Sequence, residues 1–276
     1  MLIYNLGMTQ IGLALLGILV GAVLNALADD LPNRATPRQP HCPACGQTHH
    51  LLQWVAIIAF LSRRGRCAHC GAPLPMRRLL VEVASALLLV FVFQKFGVTL
   101  KFGLLAVLLE SLLLITVIDL EHRLILYVTI FPTAGVALLY ALFGGEQELL
   151  PALTKSLLGG LTGFGIFYLL YLFSFGLARL MERLRGEALT EAPFGGGDVN
   201  LAGVVGLAVG WPGILLTIML TVVSGGLVAG LYLLFKRLRG EYVPFTPIPY
   251  GPFIVFGAFM LLVFSAEIKR WNGIGP

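Results

Sequence analysis

Two aspartates interrupt long apolar stretches of this sequence, and they are the residues best suited to chemistry. Asp119 stands in LLLITVIDLEHRLIL, and Asp198 follows Gly195, Gly196 and Gly197 at the start of another apolar run. An ionisable residue at membrane depth is costly and marks a functional site by default. Two carboxylates held close together share a proton, so that one activates water while the other protonates a carbonyl or a leaving group. Such a pair predicts peptide-bond hydrolysis without a metal or a covalent intermediate.

The three glycines before Asp198 suit such a site. We expect them to adopt positive φ angles and to let a substrate strand approach the backbone closely. Other interpretations stay open, because an aspartate at a membrane boundary is often an anchor or a helix cap, and three glycines before a helix are a common turn. Two such acids also occur on cation or proton pathways. An ion-coupled or proton-coupled transporter is therefore the competing hypothesis, and a catalytically inactive scaffold is a third.

Membrane helices must position these acids. Hydrophobic residues make up 58% of the 276 residues, charged residues make up 12%, and the mean hydropathy is +0.89. These values exclude an ordinary soluble domain. We predict an all-α polytopic membrane protein, because the apolar runs are long enough to cross a bilayer. The eight predicted spans are 9–28, 78–95, 101–119, 123–143, 153–179, 199–215, 216–236 and 249–268.

The distribution of basic residues predicts the orientation of the chain. Cytoplasmic loops near membrane helices are enriched in Lys and Arg. Most of the 19 such residues fall in the loops between spans 1 and 2, 3 and 4, 5 and 6, and 7 and 8. The exceptions are Lys95, Lys101, Lys155, Lys269 and Arg270. These four loops are therefore expected in the cytoplasm with both aspartates. No basic stripe interleaved with aromatic residues suggests a nucleic-acid partner.

The polar segment 29–77 contains all four cysteines of the sequence, in HCPACGQ and RCAHCGAP. Two CxxC knuckles predict a tetrahedral, structural zinc site, in which Gly46 and Gly71 let the backbone curl beneath the metal. The predicted ligands are Cys42, Cys45, Cys67 and Cys70. Disulfides are the alternative, although a reducing compartment favours metal. His41, His49, His50 and His69 are possible substitute ligands.

These assignments divide the chain into three predicted parts. Residues 1–28 form the first membrane helix, 29–77 a small cytoplasmic zinc domain, and 78–276 a membrane body of about seven helices.

Several other polar residues near the membrane have simpler interpretations. Glu82 is expected to pair with Arg77, with Arg78 or with another helix. Asp29 and Asp30 are expected to be solvated.

The same motifs resemble the type IV prepilin peptidase family, membrane aspartic proteases of the GxGD class. The resemblance rests on IDLEHRLI, GGGDVNL, IPYGPF, the paired CxxC segment and GAVLNAL in the first helix, and it covers almost the whole chain. It implies catalysis by Asp119 and Asp198 at the cytoplasmic face of the bacterial inner membrane. The implied substrates are the basic leader peptides of type IV prepilins or type II secretion pseudopilins.

Members with the cysteine segment usually also N-methylate the new N-terminus with S-adenosylmethionine, which makes a peptidase without this activity the alternative. The sequence departs from the family pattern at Leu126, where proline is usual, and at Tyr127, where aspartate often follows. Asn200 replaces a common lysine two residues after Asp198.

Overall fold

The computed structural model describes residues 2–33, 36–42, 44–48, 54–144, 149–185, 195–240 and 248–271. Within these ranges the regular structure is helical, apart from two isolated bridges in the cysteine segment. The α-helices are α1 (Leu2–Asp30), α2 (Ala56–Arg63), α3 (Met76–Phe96), α4 (Leu100–His122), α5 (Tyr127–Phe143), α6 (Leu149–Arg185), α7 (Gly196–Val209), α8 (Gly213–Leu238) and α9 (Gly251–Trp271). The all-α prediction is confirmed.

Among the described residues, five helices are long and apolar enough to cross a membrane: α1, α3, α4, α6 and α8. Shorter apolar helices occupy Tyr127–Phe143, Gly196–Val209 and Gly251–Ser265. A helix is therefore present in each of the eight predicted spans, although α5, α7 and the apolar part of α9 are shorter than the ~20 residues of a complete perpendicular crossing. The chain is a multi-pass membrane protein.

The predicted boundary between the sixth and seventh spans is wrong by six residues. The prediction continued the sixth span to residue 215, whereas α7 ends at Val209 and α8 begins at Gly213. Gly210 has a φ of +67°, which stops the helix, and Pro212 precedes the next one. The residues around this break are apolar, so hydropathy alone does not reveal it.

The chain divides into two compact units, Met1–His122 and Arg123–Pro276. In the first unit, α1 packs closely along α3 through Gly17 and Gly21. A Cβ atom on Gly21 would lie 2.6 Å from the Cα atom of Glu82, so any larger residue would force the helices apart. This small-xxx-small spacing lets two membrane helices bring their backbones together.

In the second unit, α7 packs most extensively against α6 and also contacts α5 and α9. The contact with α6 is again made by small residues. A Cβ atom on Gly206 would lie 2.2 Å from the carbonyl oxygen of Gly159, and one on Gly163 would lie 2.4 Å from that of Ala202. Helix α7, which carries Asp198, is thus held by direct backbone contact.

Candidate active site and metal centre

Asp119 lies in the last turn of α4 and is 5% exposed. An acid at a helix C-terminus faces the negative end of the helix dipole, so this position carries an electrostatic cost. The helix ends immediately afterwards, because Arg123 adopts the left-handed conformation, with a φ of 53°. The sequence therefore places a buried carboxylate at the end of an apolar helix, where the chain turns sharply.

Asp198 occupies the third position of α7 and is 9% exposed. Its Oδ2 atom accepts a hydrogen bond from the backbone N–H of Gly195, at 3.2 Å. This bond caps the start of α7. Tyr250 is an electrostatic neighbour of Asp198. Tyr250 belongs to the IPYGPF motif, but sequence reasoning gave it no role.

The glycines before Asp198 have different local environments. Gly195 precedes α7 in an extended conformation with a φ of −90°, and none of the three has a positive φ. The expectation of positive φ angles is therefore wrong. A Cβ atom on Gly197 would lie 2.7 Å from the Cβ atom of Ile125, whereas one on Gly196 would meet nothing within 4 Å. Close backbone approach is thus required at Gly197, where the neighbour is the chain itself.

The residues that depart from the family pattern have local partners. Leu126 precedes α5 in an extended conformation, and Tyr127 begins the helix and stacks on Phe131. The Nδ2 group of Asn200 donates to the carbonyl oxygen of Gly196, at 3.0 Å. This amide therefore binds the first turn of its own helix.

Asp119 belongs to the first compact unit and Asp198 to the second. The pairing of their carboxylates stays a prediction.

The four cysteines converge on one point. Their sulfur atoms all lie within 4.8 Å of one another, and those of Cys42 and Cys70 are 3.8 Å apart. Zinc–sulfur bonds of about 2.3 Å in a tetrahedron place neighbouring sulfur atoms about 3.8 Å apart, so the cluster fits a four-thiolate metal site. All four thiols are free, which contradicts the disulfide alternative. His41 and His69 are not in this cluster, and His49 and His50 lie outside the described residues.

The two knuckles have the same backbone design. Gly46 and Gly71 have φ angles of 69° and 72°. Their N–H groups donate to the carbonyl oxygens of Cys42 and Cys67, at 2.8 and 3.1 Å. Hydrogen bonds from the backbone N–H groups of Cys70 and His69 lower the pKa of Cys67 to about 6. The predicted turns are confirmed, and the hydrogen bonds of the second knuckle favour the thiolate form of Cys67.

Glu82 connects the cysteine segment to the membrane helices. It is 1% exposed, and its two carboxylate oxygens accept the backbone N–H groups of Ala56 and Ile57, at 2.6 and 2.9 Å. These are the first residues of α2, so Glu82 supplies the cap that this helix lacks locally. The prediction of a hydrogen-bond partner on another helix is confirmed. Sequence carries no signal for it, because every residue except proline offers a backbone N–H group.

The expectation that Asp29 and Asp30 are solvated is wrong. Asp30 is 4% exposed and accepts the backbone N–H of Arg38, at 2.7 Å. Asp29 binds Arg77 and Arg78, at 2.5 and 2.6 Å, and Arg77 also binds Glu121, at 2.5 Å. Arg77 and Arg78 thus neutralise Asp29 and Glu121, two acids in the last turns of membrane helices.

Comparison with known proteins identifies similarities over most of the chain. Residues 15–96 match the family model described as Bacterial Peptidase A24 N-terminal domain, and residues 106–230 match the Type IV leader peptidase family. A Prepilin leader peptidase/N-methyltransferase of Pseudomonas aeruginosa is 29% identical over 283 residues, covering 93% of this chain and 90% of the relative. The protein of the same name in Burkholderia pseudomallei is 30% identical, covering 86% of this chain and 71% of the relative. No solved structure gives a significant match.

Proposed function

Since this chain belongs to the type IV leader peptidase family, we propose that it is a membrane aspartic endopeptidase that removes the basic leader peptide from prepilins or pseudopilins. One observation carries the proposal. The IDLEHRLI and GGGDVNL motifs each present a buried aspartate at the end of an apolar helix, and an ionisable residue at such a costly position marks a functional site. Family membership also favours the peptidase over the transporter and scaffold hypotheses.

In the proposed reaction Asp119 and Asp198 share one proton. The ionised carboxylate takes a proton from water, whose oxygen attacks the scissile carbonyl carbon, while the other carboxyl group protonates the carbonyl oxygen. As the tetrahedral intermediate collapses, one of its hydroxyl groups returns a proton to the carboxylate that protonated the carbonyl oxygen. The C–N bond breaks, and the leaving amine takes the proton that the other carboxylate accepted from water. Asp119 and Asp198 share the general acid and base roles in this reaction.

Replacing each aspartate with asparagine tests the dyad. Purified Asp119→Asn and Asp198→Asn proteins in detergent are each mixed with a prepilin, and leader removal is followed by electrophoresis. Both variants are expected to lose cleavage. Glu110→Gln is the matched control, because Glu110 lies buried in the same helix as Asp119 and its contact with Ser85 survives in the amide. Cleavage at the normal rate by either asparagine variant would refute the proposal.

We also propose N-methylation of the new N-terminus, since the relatives are named leader peptidase/N-methyltransferases. S-adenosylmethionine would supply the methyl group. Incubating the protein with labelled S-adenosylmethionine and a processed pilin tests this second activity. Transfer of label to the pilin supports a bifunctional enzyme, and cleavage without transfer leaves a peptidase only.

Zinc is the proposed metal of the cysteine cluster, with a structural role. Four thiolates complete its tetrahedral coordination and leave no position for substrate. The expected content is one zinc per chain by metal analysis. We place this cluster and both aspartates in the cytoplasm of a bacterium with the protein in its inner membrane. Reporter fusions at successive loops test that orientation, which is supported by the distribution of Lys and Arg.

A further inference from the structure

Four charged side chains of the first unit sit at helix ends where the helix dipole opposes them. Asp29 and Glu121 lie in the last turns of α1 and α4, near the negative ends of these helices. Arg77 and Arg78 lie in the first turn of α3, near its positive end. Each placement is unfavourable by itself. The hydrogen bonds among the four side chains therefore offset the unfavourable interactions of these charges with the helix dipoles.

Arg77 makes the central connection in this group. Its Nη1 atom donates to Oε2 of Glu121, and its Nη2 atom donates to Oδ1 of Asp29, both at 2.5 Å. The Arg77 side chain is 13% exposed, while those of Asp29 and Glu121 are 22% and 36% exposed, so the bond to Asp29 is the better shielded from solvent. One planar guanidinium thus joins the ends of α1 and α4 to the start of α3. A lysine cannot reproduce this fork, because its ammonium group is a single point.

Arg78 has a different set of partners, although it is the next residue. Its Nη2 atom donates to Oδ2 of Asp29, at 2.6 Å, and to the carbonyl oxygen of His41, at 3.0 Å. Arg78 therefore fixes the chain beside the first cysteine knuckle. The enrichment of Lys and Arg in cytoplasmic loops explains why arginines occur at this end of α3. It does not explain why Arg77 binds the last turn of α4.

We propose that Arg77 is a positioning residue for Asp119, an inference that rests on the proposed function. Glu121 is two residues after Asp119 in the same final helical turn. Helix ends fray unless they are held, and fixing Glu121 fixes the backbone that carries the catalytic carboxylate. Asp29 holds the opposite side of the guanidinium, so the position of Asp119 is set from α1 and α3 rather than by α4 alone.

The test separates kcat from KM for prepilin cleavage in four variants. Arg77→Met is expected to lower kcat by about tenfold or more while KM stays within about twofold, because misplacing a reacting group by a fraction of an ångström costs rate rather than binding. Arg77→Lys is expected to recover part of kcat. Glu121→Met, which leaves no acceptor for Arg77, is expected to lower kcat, and the double variant Arg77→Met/Glu121→Met to be no slower than Arg77→Met, since both changes break one interaction.

Asp30→Asn is the matched control, because Asp30 neighbours Asp29 but its contacts among the described residues are with the cysteine segment, through Arg38 and His41. Its kcat is expected to stay near the wild-type value. If Arg77→Met unfolds, Glu121→Met alone decides, since it leaves Arg77 bound to Asp29. Wild-type kcat in Glu121→Met, a change in KM alone, or additive effects in the double variant would overturn the inference. A fully active Asp119→Asn variant would instead refute the proposed function.

Discussion

Replacing Gly163 with alanine tests whether backbone contact between α6 and α7 holds Asp198 in place. A Cβ atom on Gly163 would lie 2.4 Å from the carbonyl oxygen of Ala202, which is backbone and cannot rotate away. Real Cβ contacts are essentially never below 3.0 Å, so the two helices must separate by at least about 0.6 Å. Ala202 lies one helical turn after Asp198, and the displacement therefore reaches the first turn of α7.

The expected loss of stability follows from this overlap. Overpacking of a closely packed contact costs about 1–3 kcal/mol. For a chain of this size, about 1 kcal/mol lowers Tm by about 2–4 °C, which gives an expected decrease of about 2–12 °C. A misplacement of about 1 Å costs about a hundredfold in rate. Prepilin cleavage is therefore expected to fall by about tenfold when α7 shifts by about half that distance.

Gly165→Ala is the control, because Gly165 lies in the same helix and a Cβ atom there meets nothing within 4 Å. Alanine favours a helix by about 1 kcal/mol relative to glycine, so this variant is expected to keep or increase stability. Thermal unfolding in detergent and initial cleavage rates are measured for both variants. Equal Tm and equal rates in Gly163→Ala and Gly165→Ala would refute the packing argument.

Three further changes have expected outcomes. Gly197→Ala would place a Cβ atom 2.7 Å from that of Ile125 and is expected to lower the cleavage rate. Adding Ile125→Ala is expected to restore the rate. Gly196→Ala is the control, because its Cβ atom would meet nothing within 4 Å and the rate is expected to stay unchanged. Glu82→Gln weakens the cap of α2 and is expected to destabilise the cysteine segment by about 1–3 kcal/mol, measured as faster loss of metal to a chelator. Cys42→Ser removes a buried thiol of the cluster and is expected to lower zinc content, while normal metal stoichiometry would contradict its role as a ligand.

The sequence predicted best those features that depend on residues close together in the chain. Apolar runs identified the helices, and two CxxC motifs followed by glycine identified the cluster with its two left-handed turns. The end of α7 was misplaced because Gly210 and Pro212 interrupt a segment that stays apolar on both sides. A hydropathy average measures solvent preference, and it does not respond to a break in backbone conformation.

The partners of the polar residues were harder to predict, because they depend on contacts distant in sequence. Glu82 binds backbone N–H groups 26 and 25 residues away, and backbone groups leave no trace in residue type. Asp29 follows the predicted first span and was expected in water, yet Arg77 and Arg78 reach it from 48 and 49 residues further along the chain. The aspartate motifs themselves were visible because a carboxylate in an apolar run is rare.

The cap that Glu82 provides to α2 limits how the cysteine segment can be used as a separate module. A fragment ending at residue 77 would keep all four thiols but would lose both Glu82 and Arg78, which bind the start of α2 and the carbonyl group of His41. Exchanging this segment between relatives therefore requires the first turns of the following membrane helix to move with it. The unit to exchange is then the cysteine segment together with the beginning of α3.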